Sequence, residues 1–231
     1  MNKKNRKGFT LAEVLVTLVV LGIVAAIVIP TVIQNTQQAE YKSALKENNA
    51  VLSGALLRLT TNNSGSLAGT FTGATDFKNK LSAYLNVAKD CNGSGLGSCW
   101  ASSTSYMNHA GYISTDQSFN AWNEPTILLS NGVSVHFDYG NGQPSWGSTS
   151  CNTTWGGNFI PGNACISLDV DINGLKGPNI VGVDTFIFIV SNTGVLIPFG
   201  SSSTTGAWNP ATDCTPTGTG YGCAAYYLMG N

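Results

Sequence analysis

The stretch Lys7-Gly8-Phe9-Thr10-Leu11-Ala12-Glu13-Val14-Leu15, with the apolar run that carries it to Ile29-Pro30, decides how this chain is read. Lys3, Lys4, Arg6 and Lys7 crowd the side before Gly8, and from Phe9 to Ile33 the only ionisable side chain is Glu13. A bilayer core takes roughly 20 mostly apolar residues as helix, and a basic flank stays cytoplasmic. The expected arrangement is a single-pass chain with its N-terminus inside and everything after Pro30 outside. A secretory signal peptide also begins basic and then apolar, but its cleavage site needs small residues spaced Ala-x-Ala. Ile29-Pro30-Thr31-Val32-Ile33 stands there instead, which favours a retained anchor. An acid at the bilayer centre costs about 2.5 to 3.5 kcal/mol on insertion scales, and less near the interface, so Glu13 marks a function rather than a plain anchor.

Gly8-Phe9-Thr10-Leu11-Ala12-Glu13-Val14-Leu15-Val16, followed by Gly22 and Ile29-Pro30, resembles the N-terminus of type IV pilins and of the pseudopilins of type II secretion. The resemblance covers about the first 50 residues. It implies a leader, residues 1–8, cut between Gly8 and Phe9 by an inner-membrane prepilin peptidase that also N-methylates Phe9. It makes Glu13 the assembly residue, pairing with the terminal amine of Phe9 in a neighbouring subunit and so setting axial register. Two buried opposite charges neutralise each other best in a low dielectric, which agrees with that role. Gly22 and Pro30 fall where the family carries its helix-weakening glycine and proline. The implied partners are the peptidase, other pilin-like subunits, an assembly ATPase and a platform protein. The implied location is the inner membrane, then a pilus or pseudopilus.

Proline at position 30 removes one backbone donor, leaves the Ala26 carbonyl without its usual partner, and kinks a helix without necessarily ending it. Beyond it Tyr41, Ala44, Leu45, Leu52, Ala55, Leu56 and Leu59 recur at helical spacing, with Lys42, Lys46, Glu47, Asn49 and Arg58 between them. The helix is expected to run from Phe9 to Thr60, about 78 Å at 1.5 Å per residue. The organisation that follows is a transmembrane segment 9–33, an amphipathic extension 34–62 and an extracytoplasmic globular domain 63–231. A second helix is expected from Thr75 or Asp76, either of which would cap it, to about Lys89, with Phe77, Leu81, Tyr84, Leu85 and Ala88 on one face. Strands are expected at Thr126–Leu129 and Val133–Tyr139 around Ser130-Asn131-Gly132, then at Ala164–Ile172, Asp184–Ser191 and Val195–Phe199. Phe186, Phe188 and Val190 alternate with Ile187 and Ile189, so that strand is expected to be buried on both faces. The fold class is α+β, a long N-terminal helix on a mainly antiparallel sheet with disulfide-closed loops. A ladle-like, pilin-like subunit is what the resemblance implies.

Six cysteines, Cys91, Cys99, Cys151, Cys165, Cys214 and Cys223, lie on the outer side of the expected span. An even number without Cys-x-x-Cys reads as disulfides, for which fifteen pairings exist. Sequence proximity favours Cys91 with Cys99, Cys151 with Cys165 and Cys214 with Cys223, each closing a loop rich in Gly, Ser, Thr or Asn.

Asp169-Val170-Asp171-Ile172-Asn173-Gly174 has oxygen-bearing residues at alternate positions before a glycine, like the first half of a calcium loop. Position twelve of such a loop would be Ile180 rather than Glu, so Asp184 would supply the missing carboxylate. The candidate metal set is Asp169, Asp171, Asn173 and Asp184. The competing reading is a plain turn at Asn173-Gly174, with Val170 and Ile172 pointing inward and Asp169 and Asp171 in water.

Composition narrows the function. The 231 residues are 42% hydrophobic and only 10% charged, with 27 glycines, which suits an exported, loop-rich domain. Net charge is −1, and loss of the four basic leader residues leaves −5, with no basic face for nucleic acid. About 165 residues beyond the anchor suffice for one cored domain. There are two histidines, His109 and His136, and neither His-Glu-x-x-His nor a Gly-x-Ser-x-Gly elbow. His136 alternates with Val135 and Phe137 as a strand residue does. These features argue against an enzyme. Two function classes follow: a structural subunit polymerised through its N-terminal helix for secretion, adhesion or motility, or a membrane-anchored binding module. In the second, loops between Cys91 and Trp155 and the tail after Gly200 would recognise a surface, glycan or substrate, with Trp100, Trp122, Trp146, Trp155, Trp208, Tyr226 and Tyr227 available to stack.

Overall fold

The computed structural model describes residues 8–91, 95–108, 125–138, 151, 163–201 and 209–230. The chain divides into two units, Met1–Glu40 and Tyr41–Asn231. Helix α1, Leu11–Asn62, begins in the first and ends in the second. It passes through Gly22 and Pro30 as helix. Thr31 and Thr36 hydroxyls bond back to the Ile27 and Val32 carbonyls, as hydroxyls in apolar helices do. Leu11–Asn62 is long and apolar enough to cross a membrane, and its most apolar stretch has no buried residue.

In the second unit the helical stripe read from the sequence is the core face. Leu45, Leu52 and Leu56 are fully buried, with Ala55 and Leu59 nearly so. Each such leucine contributes about 1.5 to 3 kcal/mol by leaving water. Helix α2, Ala74–Ser82, adds Phe77 and Leu81 to the same core. The Thr72 N–H donates to the Asp76 carboxylate at 2.9 Å, so Asp76 acts from inside the first turn rather than as the N-cap, which is Gly73. The expected extension of α2 to Lys89 does not form. The Tyr84 and Leu85 N–H groups close turns onto the Leu81 and Ser82 carbonyls, and Val87–Cys91 becomes strand β1. Pairing with β2 takes up that backbone, and Lys78, buried on α2, forms an ion pair with Asp90 of β1.

The strands are β1 Val87–Cys91, β2 Thr126–Leu129, β3 Ser134–Asp138, β4 Ala164–Asp171, β5 Thr185–Ser191 and β6 Leu196–Pro198. They form one antiparallel meander in chain order. Every residue of β4 and β5 is buried. Phe186, Phe188 and Val190 join the core beneath α1 and α2, while Ile187 and Ile189 join a second core with Trp100, Val181 and Phe199. Two short helices, α3 Pro210–Asp213 and α4 Cys223–Met229, complete the chain. Disulfides join Cys91 to Cys99, Cys151 to Cys165 and Cys214 to Cys223. Inside the last loop the Asp213 carboxylate accepts from the Thr219 N–H and hydroxyl and the Gly222 N–H.

The β5–β6 turn depends on Gly194, whose φ is +75° and whose missing Cβ makes room for the Thr60 hydroxyl of α1. Gly194→Ala combines a left-handed backbone with overpacking, and the expected loss is about 2 to 4 kcal/mol, read by urea unfolding of the detergent-solubilised protein. Replacing Cys214 and Cys223 together by serine should cost about 2 to 4 kcal/mol. A thermal midpoint equal to that of the unmutated protein would show that the bond does not restrain the unfolded chain.

Candidate functional site

Two groups of polar residues stand out from the apolar scaffold. The first is at the start of α1. Thr10 precedes the first helical residue, and its N–H and hydroxyl both donate to Glu13 Oε2, at 2.8 and 2.9 Å. The Glu13 N–H returns a bond to the Thr10 hydroxyl at 3.3 Å. This is a reciprocal capping box, Thr-x-x-Glu, which satisfies helix N-terminal donors and sets a carboxylate at the positive end of the helix dipole. The spacing stands in the sequence, yet Thr10 carries no functional mark there until the bonds are seen. Both donors to Glu13 are neutral, and its neighbours Phe9 and Leu11 are 89% and 81% exposed. The chain thus offers an apolar helix with one oriented acid and no cation from Phe9 to Ile33 to neutralise it. Gly8 and Phe9, between which cleavage is expected, precede the helix. Residues 1–7 lie outside the described residues.

The second group surrounds the β4–β5 connection. Of the four residues read as a metal set, the structure brings three together. Asp184 Oδ1 accepts from the Ile180 N–H at 2.6 Å, and its Oδ2 from the Asn179 N–H at 2.8 Å and Asn173 Nδ2 at 3.1 Å. Asp171 Oδ1 accepts from the Asn173 N–H at 3.1 Å. Asp169 is engaged elsewhere, its Oδ2 lying 3.1 Å from Nδ1 of His136 on β3. The expectation that Asp169 and Asp171 face water fails, because the loop carrying Val181 folds over that face and hydrogen-bonds Ser105 through the Val181 N–H. Burial, and then the charge of Asp184, push the Asp171 carboxyl up to about 8. Burial also raises Asp184, against the pull of its N–H donors. The Asn173-Gly174 turn packs on the Asn131-Gly132 turn. Gly174 has a φ of +64°, and a Cβ there would collide with the Gly132 carbonyl.

Of the remaining candidates, His136, Trp100, Tyr226 and Tyr227 pack within the fold. His136 is buried between Asp169 and the Trp100 ring, and Trp100 itself is fully buried. Tyr227 lies against Tyr226 and Phe186 and under the Lys42 ammonium, 4.7 Å from its ring centre. His109, Trp122, Trp146, Trp155 and Trp208 lie outside the described residues, as do parts of the loops read as a binding surface. Among the described residues there is no cluster of three or more His, Cys, Asp or Glu side chains suited to a metal.

Comparison with known proteins bears on the first group. Residues 3–29 match the family model of the prokaryotic N-terminal methylation motif. The chain is also similar to the type II secretion system core protein G of Aeromonas hydrophila, with 40% identity over 47 residues. That stretch covers 20% of this chain and 33% of the relative, so the likeness spans about a third of the relative's length. No solved structure matches the chain. The chain therefore carries a prepilin-type N-terminal methylation segment, of the kind that opens pilins and pseudopilins, on a pilin-like α+β fold.

Proposed function

We propose that this chain is a structural subunit of a type IV pilus or type II secretion pseudopilus, serving secretion, adhesion or motility. The observation that carries the reading is Glu13, the one acid of an apolar helix, oriented by Thr10 inside the matched methylation segment. In this reading prepilin peptidase removes residues 1–8 and methylates Phe9. The anchor sits in the inner membrane with its N-terminus inside and the residues after the span outside. Glu13 then meets the Phe9 amine of a neighbouring subunit, since a carboxylate held only by neutral donors still gains from a cation in a low dielectric. Assembly would draw on other pilin-like subunits, a cytoplasmic ATPase and a platform protein. The family likeness points to a structural subunit rather than an enzyme.

Intact-mass and N-terminal peptide analysis of protein from native membranes tests the processing. A chain beginning at methylated Phe9 is expected only when prepilin peptidase is present. A chain retaining Met1 to Gly8 under both conditions would return the protein to a signal-anchored domain. For assembly, Glu13→Ala leaves the partner's buried amine uncompensated, a loss on the order of 3 to 5 kcal/mol, so incorporation into sheared filaments should fall by more than about a hundredfold while the membrane level of the subunit holds. Unchanged incorporation would remove Glu13 from register setting.

A further inference from the structure

From Asp90 to Asn231 the sequence holds a single Lys or Arg, Lys176. It stands in the β4–β5 connection, where Leu175, Lys176, Gly177 and Pro178 are all exposed, Leu175 by 46%. No ion pair among the described residues engages Lys176. Leu175 and Lys176 also line, with Leu128 and Ile172, an open depression of about 340 Å³. An uncovered apolar side chain next to an uncovered cation suits an amphiphile with a negative head. The apolar groups meet apolar groups, while the ammonium reaches the charge.

The place of this tip in the fold says which amphiphile it can reach. Asn173 Nδ2 lies 3.4 Å from the Tyr41 hydroxyl, so the β4–β5 connection sits against the first residues of α1 that belong to the globular unit. The neighbouring β2–β3 turn is held two turns further along α1, where the Asn131 amide donates to Asn48 Oδ1 at 2.9 Å. Only eight residues separate Ile33, the expected end of the span, from Tyr41. As helix that is about 12 Å, and fully extended it stays below about 30 Å. The end of the globular unit that carries Tyr41 is therefore tethered within reach of the membrane surface, whichever way that unit is turned. Lys42 and Lys46 on the same stretch offset Glu40 and Glu47, so it carries no net charge to repel an anionic surface.

We propose that the Leu175-Lys176 tip is a membrane-surface contact, in which Lys176 Nζ meets the phosphate groups of anionic phospholipids and Leu175 enters the interfacial layer beside them. One lysine and one leucine bind such a surface weakly by themselves, and the tether supplies the rest. The tether also favours lipid over a second copy of the chain, because it holds the tip near headgroups in every anchored molecule, at an effective concentration that a separate partner does not match. The consequence is that the globular unit rests on the membrane in the anchored chain and must be lifted off before the chain leaves it. The proposal rests on the reading of residues 9–33 as an anchor, and not on polymerisation.

Lysine footprinting of the full-length protein in lipid nanodiscs, one chain per disc, tests it. Discs of phosphatidylcholine alone are compared with discs containing about a third phosphatidylglycerol, and acylation by a water-soluble succinimidyl ester is read by peptide mass spectrometry. Lys176 is expected to react at least about threefold more slowly in the anionic discs. It should recover in about 0.5 M sodium chloride, where the screening length shortens to about 4 Å. Lys80 and Lys89 should react alike in both discs. Leu175→Ser, at an exposed position, should restore much of the Lys176 reactivity in anionic discs. Equal Lys176 rates in the two discs would overturn the proposal, and so would slowing that salt leaves in place. Slowing seen only in discs that hold two chains would assign the tip to a second copy and overturn it as well. A chain that stays out of the discs would overturn the anchor reading together with this one.

Discussion

Strands β4 and β5 leave no face to water, and the rest of the globular unit answers that requirement. One face is covered by apolar stripes of α1 and α2, where Leu52, Leu56, Phe77 and Leu81 meet Phe186 and Phe188. Among the described residues the other face has no long helix to cover it. It is closed by residues 95–108, by the β4–β5 loop and by turns near Phe199 and Tyr221, all short of regular structure. Such segments contribute little burial per residue, and two of the three disulfides fasten them. The asymmetry explains why the polar residues of the sheet, Ser134, His136, Ser167, Asp169, Asp171 and Thr185, collect on the loop-covered face. A loop can present backbone N–H groups to them, and a packed helix cannot, because its own are already used.

The N-terminal segment follows the opposite logic. Among the described residues nothing covers its apolar side chains, which in the proposed reading would meet a membrane or other copies of the helix. In that setting a single carboxylate is the strongest orienting feature available. The capping box keeps it from wandering before any partner arrives, which lowers the entropy lost on pairing. In the proposed reading Thr10 would bear on assembly without having to touch a second subunit.

Much of this was legible in the sequence where one physical signal dominated. Asn-Gly between β-prone stretches and alternation within Asp184–Ser191 each report one strong preference, and each found its place in a hairpin or a strand. The errors arose where two signals competed. Tyr84 and Leu85 continue the helical spacing of α2 and do pack on the core, but from a turn, because β1 claims the backbone that follows. Asp169 and Asp171 read as solvent-facing because alternation tells only which face a residue takes, not what lies over that face. The cover comes from segments without periodicity, which is why the His136–Asp169 contact had no trace in the pattern. The sequence pairing of cysteines by proximity agrees with the three bonds observed.

Those bonds span 8, 14 and 9 residues, and they follow one another along the chain without overlap. The meander has the same property, since each strand pairs with its predecessor. If the part after the span is translocated in sequence order, each cysteine would meet its partner before the next pair appears. Wrong pairings would be avoided by timing as much as by stability, and no isomerase would be required to undo a crossed bridge. Biogenesis would then proceed as a zipper, with the second half of α1 waiting for the sheet that arrives to cover its stripe.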